Sequence, residues 1–340
     1  MTVSIVIPHW NRYELLTGLL DSIRQQELPE GVVLETLLVD NGSTDKSVEV
    51  ARSLGVRVLR LSQNEGVSRA LNRGIRATDG EVVVLLNNDV EPAPDWLGHL
   101  LEAMKDDNIW FATGKTLDFE ERGLIDGAGD AMCRGGASWR LGHGKNDGPE
   151  FDLGRRTFFP SATATAFRRT FFDRVGLLEE GFFAYLEDAD LGLRAAIEKL
   201  PGMYVPEAVA YHRGGATSGV WSSQTVEWIT CHQLLLIAKF YSIGMILRYA
   251  HAILAAQLLW AGLAISRGRG GAWLRGVALG VWKFSRVRRA SKQVRGKAGR
   301  LRTVLSEAEA DIFRVQNATS WDSYWKWYFR FVNPPAESCT

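Results

Sequence analysis

Apolar residues in this chain fall first into short unbroken runs and later into helical stripes. The strongest run is 82–86, Val-Val-Val-Leu-Leu, which stops at Asn87, Asn88 and Asp89. A β-branched and leucine run of this length between turn residues predicts a strand buried on both faces of a parallel sheet. Further strands are predicted at 3–8, 33–39, 56–61, 109–114, 163–168 and 203–211. Helical patterns separate the first four, as in Leu15, Leu16, Leu19, Leu20 and Ile23, which share one face. Ser43 or Thr44 is placed to cap the helix that follows the second strand. Strands alternating with helices predict a βαβ arrangement, and right-handed crossovers then put the loops carrying Asn11, Asp40, Asn64 and Asp89 on one edge of the sheet.

Ligands of open α/β sheets bind outside the carboxyl ends of the strands. The triplet ending at Asp89 therefore has two readings, a capped turn before a helix predicted at 92–106 or a ligand site. Neither a Gly-x-Gly-x-x-Gly turn nor a phosphate-binding Gly-x-x-x-x-Gly-Lys-Ser/Thr loop occurs. A phosphate-bearing ligand would need another hold, and a divalent cation between Asp89 and a diphosphate supplies one. Residues 117–156 lose periodicity and are dense in Gly, which reads as a functional lid or as a surface excursion. The stretch 181–194 then runs an aromatic wall, Phe182, Phe183 and Tyr185, into Glu187, Asp188 and Asp190 at a helix start. Asp190 stands four residues before Arg194, the spacing of an ion pair. Glu187 and Asp188 follow apolar rings, surroundings that raise a carboxyl toward the range of a general base. His212 closes the last strand, and imidazole with one carboxylate suits Mn²⁺.

These segments resemble the family 2 glycosyltransferases, in particular the rhamnosyltransferase-like bacterial branch. Five motifs carry the likeness in the family's order: IVIPHWNR, VDNGSTD, NEGVSRALNRGI, LLNNDVEP and FFAYLEDADLGLR, closed by YHRGG. The resemblance implies a GT-A fold, a mostly parallel α/β sheet flanked by helices. Residues 1–222 would be the catalytic domain, with a nucleotide-binding half at 1–115 and an acceptor-side half at 116–222, and residues 223–340 a helical C-terminal region. It implies that Pro8, Asn11, Asp40 and Asn64 line the nucleotide pocket, that Asn88 lies near the ribose, and that Asp89 and His212 hold a divalent cation, Mn²⁺ or Mg²⁺. Asp188 would be the catalytic base of an inverting transfer, with Tyr185 and Glu187 on the acceptor side. The donor implied is a dTDP- or UDP-sugar, with rhamnose suggested by the branch, and the acceptor a lipid-linked or cell-surface glycan. Asn87 and Asn88 stand where many relatives carry Asp, which lowers the negative charge available to a cation. A sugar nucleotidyltransferase fits less well, because its first loop is Gly-rich with Arg and Lys. A non-catalytic adaptor has no need to keep Asp89, Asp188 and His212 together.

Charge changes the picture for the last third. Residues 267–302 hold twelve of the forty Lys and Arg and no Asp or Glu, leaving 28 basic against 39 acidic residues elsewhere. That end of the chain wants an anionic surface. The uncharged stretch within 244–265 falls short of a spanning helix and has basic residues on both sides, which predicts a helix lying on the inner membrane face. The mixture of Trp, Leu, Lys and Arg that follows is that of interfacial helices binding anionic lipid rather than nucleic acid. Oligomerisation through these helices is the alternative. Cys133, Cys231 and Cys339 are odd in number and without metal-type spacing, and no signal peptide precedes the first strand. The expectation is a cytoplasmic protein, peripheral on the inner membrane face.

Overall fold

The computed structural model describes residues 1–215, 219 and 221–334, so Cys339 lies outside the described residues. Its strands are β1 (Thr2–His9), β2 (Val33–Asp40), β3 (Arg57–Arg60), β4 (Val82–Leu86), β5 (Val90–Pro92), β6 (Phe111–Asp118), β7 (Ile125–Gly127), β8 (Asp130–Met132), β9 (Ser138–Arg140), β10 (Arg155–Thr157), β11 (Ala164–Arg168) and β12 (Gly202–His212). The main sheet runs β10-β12-β6-β11-β4-β1-β2-β3, with β5 added to β12 and β7 to β6. From β4 to β3 every pairing is parallel, and β6 pairs β12 in parallel. β11 runs antiparallel between β4 and β6, so the sheet is mixed where its two halves meet.

The parallel half follows from its sequence. All five residues of β4 are buried, because helices cover both faces of the sheet. These are α1 (Leu16–Arg24), α2 (Ser47–Ser53), α3 (Val67–Arg76) and α4 (Trp96–Ala103). The helix expected from 92 starts only at Trp96, since Val90–Pro92 is drawn into the sheet as β5. The expected cap of α2 is also different: Ser43 Oγ accepts from the Asn11 N–H at 2.8 Å, and the helix begins at Ser47. Gly74 lets α3 close on the sheet, because a Cβ there would lie 2.2 Å from the Val6 side chain.

Residues 117–156 form neither a lid nor an excursion. They fold as a module in which β7 extends the sheet and β8 and β9 make a separate hairpin. The helices that follow are α5 (Arg169–Val175), α6 (Glu187–Glu198), α7 (Ser223–Phe240), α8 (Ile243–Arg248), α9 (Ala250–Ser266), α10 (Gly270–Ala290), α11 (Lys292–Gly296), α12 (Leu301–Ala318) and α13 (Ser323–Phe331). One apolar core runs through Ile125, Met132 and Phe159 to Leu236, Leu305 and Tyr328, tying the module to the C-terminal helices. Among the described residues no helix is long and apolar enough to cross a membrane.

Candidate active site

Three side-chain bridges stitch the loops at the carboxyl edge of the parallel strands. Asn11 Oδ1 accepts from the Thr44 N–H at 2.9 Å, Asn41 Nδ2 donates to Asn64 Oδ1 at 2.9 Å, and Asn88 Nδ2 donates to His9 Nδ1 at 2.9 Å. His9 Nε2 in turn donates to Ser47 Oγ at 2.8 Å, and Ser47 donates to Asp45 at 2.5 Å, which fixes His9 as the Nε2–H tautomer. Burial lowers the His9 pKa to about 4, so the ring is a neutral acceptor for Asn88. Pro8 is buried in β1 with Val39 as its register partner. Asp40 is fully buried at the end of β2; Oδ1 accepts from the Ser43 N–H at 3.1 Å. Its Oδ2 stands 3.4 Å from Arg60 Nε and has no hydrogen-bond partner.

Asp89 departs from this group and joins His212, whose Nε2 lies 3.3 Å from Asp89 Oδ1. On the other side of the ring, His212 Nδ1 donates to Asp126 Oδ2 at 2.8 Å. Arg140 Nη1 donates to the same oxygen at 2.6 Å, and Thr116 Oγ1 donates to it at 3.2 Å. Burial alone would depress the imidazole, but the bonds to Asp126 and Asp89 raise its pKa to about 9. Burial also opposes ionisation of Asp126, yet Arg140 and then His212 hold it well below the usual carboxylate range. The charge of Arg140 reaches Asp130 and Asp188 as well. Contacts thus run from Asp89 through His212 and Asp126 to Arg140, and the charge of Arg140 acts on Asp188 at the start of α6.

A divalent cation fits two of these residues. Adjacent corners of an octahedron with bonds of about 2.1 Å are roughly 3.0 Å apart, close to the 3.3 Å between Asp89 Oδ1 and His212 Nε2. The Asp126 carboxylate on Nδ1 is the partner that orients a metal-binding imidazole. Among the described residues no group of three or more His, Cys, Asp or Glu could hold a metal, so diphosphate and water would have to complete the shell.

At α6, Asp188 Oδ1 accepts from the Ala189 N–H at 2.7 Å. Burial raises the Asp188 pKa against that bond and against Arg140. Glu187 is buried with Oε2 unpartnered and is pushed up to about 8, by burial first and then by Asp188. Asp130, from β8, is likewise pushed to about 8 by burial and Asp188. Asp190 forms the ion pair expected of its spacing, 2.8 Å to Arg194, and adds Lys239 at 2.6 Å. Tyr185 and Leu186 both have φ of +68°, and Asn11 and Arg12 have φ of +55° and +64°. Left-handed backbone at non-glycine residues is strained. Four of the five such residues among those described therefore stand at the two ends of this site. His232 helps hold the second pair by donating from Nδ1 to Tyr185 O at 2.9 Å. The aromatic wall is completed from α7: His232 stacks on Phe182 at 4.3 Å and Trp228 on Phe183 at 4.9 Å.

Asp126, Asp130, Arg140, His9, Trp228 and His232 were missed as site residues by sequence reasoning. For the first three the sequence offers only apolar neighbours, Ile125, Ala131 and Leu141, in a Gly-rich segment; that these neighbours are buried is seen in the fold and not in a local pattern.

A ten-strand mixed sheet carrying an acid and a histidine at its carboxyl edge, with further acids at a helix start opposite, defines the chain as a GT-A-fold protein. Residues 4–176 match the model of glycosyl transferase family 2, and the chain belongs to that family. The N-acetylglucosaminyl-diphospho-decaprenol L-rhamnosyltransferase of Mycobacterium tuberculosis is 29% identical over 211 residues, 55% of this chain and 68% of that protein. Among solved structures, GalNAc-T7 with UDP, GalNAc and Mn²⁺ superposes with a TM-score of 0.60 at 16% identity, covering 84% of this chain and 57% of that one. The mannosyltransferase of Pyrobaculum calidifontis with GDP-Man and Mn²⁺ gives 0.53 at 17% identity, over 94% and 87%. These two likenesses establish the fold. The chain spans about a third or less of the length of the first curated relatives it matches.

Proposed function

We propose that this protein is an inverting, cation-dependent glycosyltransferase that moves a sugar from a nucleoside-diphosphate donor to a lipid-linked or cell-surface glycan at the inner face of the cell membrane. The observation that carries the reading is the run of contacts from Asp89 and His212 through Asp126 to Arg140, whose charge acts on Asp188. It sets a carboxyl of raised pKa in the field of Arg140, whose partner Asp126 also orients His212 of the Asp89–His212 pair.

Asp40 Oδ2, buried and without a donor, is satisfied by an N–H of the nucleotide base, with Pro8, Asn11 and Asn64 around it. Asn88, oriented by neutral His9, lies toward the ribose. Asp89 and His212 hold Mn²⁺ or Mg²⁺, which when bound supplies positive charge to the departing diphosphate. Asp188 accepts the proton of the acceptor hydroxyl as that oxygen attacks the anomeric carbon in line and the bond to the diphosphate breaks. Tyr185, whose ring lies against Trp228 of the Phe183–Trp228 stack, and Glu187 are on the acceptor side. A dTDP-rhamnose donor is favoured by the mycobacterial rhamnosyltransferase relative, and a UDP-sugar is the other candidate.

The test is nucleoside-diphosphate release from a panel of nucleotide sugars with Mn²⁺, Mg²⁺ or EDTA, with and without a bacterial lipid extract. Release from one donor that needs the cation and rises with lipid is expected. No release from any donor by folded protein, or wild-type turnover by Asp188→Asn, overturns the reading.

A further inference from the structure

We infer that the outer face of α8, α9 and α10 is the surface by which this protein sits on an anionic lipid bilayer, one helix layer from the aromatic wall of the site. The inference deepens the membrane-face reading above and names the surface. From 228 to 306 the chain has no Asp or Glu and fourteen Lys and Arg.

Two sets of contacts settle which sides of α9 and α10 point outward. Ala272, Gly276 and Gly280, four residues apart, press α10 onto α7; a Cβ at Gly276 would lie 2.6 Å from the Glu227 carbonyl oxygen. α9 is held to the same helix by Gln257 donating to Gln233 at 2.9 Å and by Trp260 donating to Thr230 at 2.8 Å. The opposite sides carry Leu254, Leu258, Leu274, Val281 and Trp282, each 59–73% exposed. An apolar stripe of this extent on two neighbouring helices marks a contact surface.

Charge says what covers it. Arg286, Arg289 and Lys292 continue from Trp282, exposed and with no ion-pair partner among the described residues. Arg288 Nη1 donates to Tyr241 O at 2.9 Å, which joins α10 to the turn leading into α8, where Leu247 and Arg248 are exposed. A second copy docked face to face would set these cations against their own equivalents. Anionic headgroups neutralise them while Trp282 and the leucines enter the interface, the composition of a helix lying in a membrane surface. α7, beneath α10, carries Trp228 and His232 of the wall, so this seating holds the acceptor side close to the headgroups.

The experiment is cosedimentation of the full chain with vesicles of equal parts phosphatidylglycerol and phosphatidylcholine, against phosphatidylcholine alone, without donor. Binding to the anionic vesicles only is expected. Arg286→Glu/Arg289→Glu/Lys292→Glu should lower it about a hundredfold, and Leu254→Gln/Leu258→Gln about tenfold. Both variants keep lipid-free nucleoside-diphosphate release, so loss of vesicle binding and loss of the proposed chemistry are read separately. Equal binding to both vesicles, unchanged binding by the variants, or a dimer in sedimentation velocity that either variant dissociates would overturn the inference.

Discussion

Asp126→Asn isolates the group that ties the Asp89–His212 pair to Arg140. The carboxylate receives three bonds on one oxygen, from His212 Nδ1 at 2.8 Å, Arg140 Nη1 at 2.6 Å and Thr116 Oγ1 at 3.2 Å. Asparagine keeps the shape and one acceptor but removes the charge, so His212 loses the partner that orients its ring and makes Nε2 a better ligand. Losing such a partner weakens metal binding by roughly 10–100-fold, or about 1.4–2.7 kcal/mol. Arg140 also loses its counter-charge; because a third of it is exposed, the stability cost lies at or below the roughly 3 kcal/mol low end for broken buried pairs. Titration calorimetry of Mn²⁺ in the presence of nucleoside diphosphate gives the first quantity and urea unfolding the second. Thr116→Val is the control, removing one hydroxyl bond for about 1 kcal/mol of stability and leaving metal affinity unchanged. If folded Asp126→Asn bound Mn²⁺ as tightly as the wild type, the chain of contacts through His212 would not be the metal's support.

Asp188→Asn should lower kcat by roughly 10²–10⁴ while leaving donor affinity nearly intact, measured by steady-state kinetics beside donor binding. Glu309→Ala should cost about 3–5 kcal/mol in urea unfolding, because it strips the partner from half-buried Arg134 and from the Tyr328 hydroxyl, 2.5 Å away. Acid should destabilise the protein through His9 and His232, both buried and neutral with pKa lowered by burial to about 4. The unfolded chain binds their protons first, so stability is whole above pH of about 6.5 and falls as pH drops toward about 4, by at most about 3 kcal/mol for each ring. Glu187 and Asp130, raised to about 8, act in the opposite direction over that window, so the two rings are read by NMR titration of the folded protein; an imidazole of His9 or His232 titrating near 6.5 would contradict its burial.

The parallel half was legible because β1 and β4 are buried along nearly their whole length and β2 along its C-terminal half, and so read as apolar runs with polar residues marking their carboxyl ends. The 117–156 module was not, since its strands are only three residues long and carry no usable period. Its buried positions owe their burial to helices more than a hundred residues later. Asp126 and Arg140 join the site through a partner at 212, a contact no local pattern reports. Asp190 was legible because its partner lies one helical turn away.

The same long-range packing explains how a Gly-rich segment holds a charged site in place. Trp139, beside Arg140 in β9, packs on Trp325 of α13 with ring centres 5.7 Å apart. Lys145, almost fully buried, donates to Asp322 at 2.5 Å and to the Ser320 carbonyl at 2.7 Å. The Gly135 N–H donates to the Tyr328 hydroxyl at 3.2 Å, whose proton goes to buried Glu309. Each contact joins the hairpin bearing Asp130 and Arg140, or the turn that follows it, to α13 or to the segment between α12 and α13. The geometry at His212 is therefore set by both ends of the chain, and the C-terminal helices are part of the scaffold that fixes Arg140. Loss of the Glu309 contact should then lower turnover in protein that remains folded, an effect that a C-terminal region serving only as an anchor would not produce.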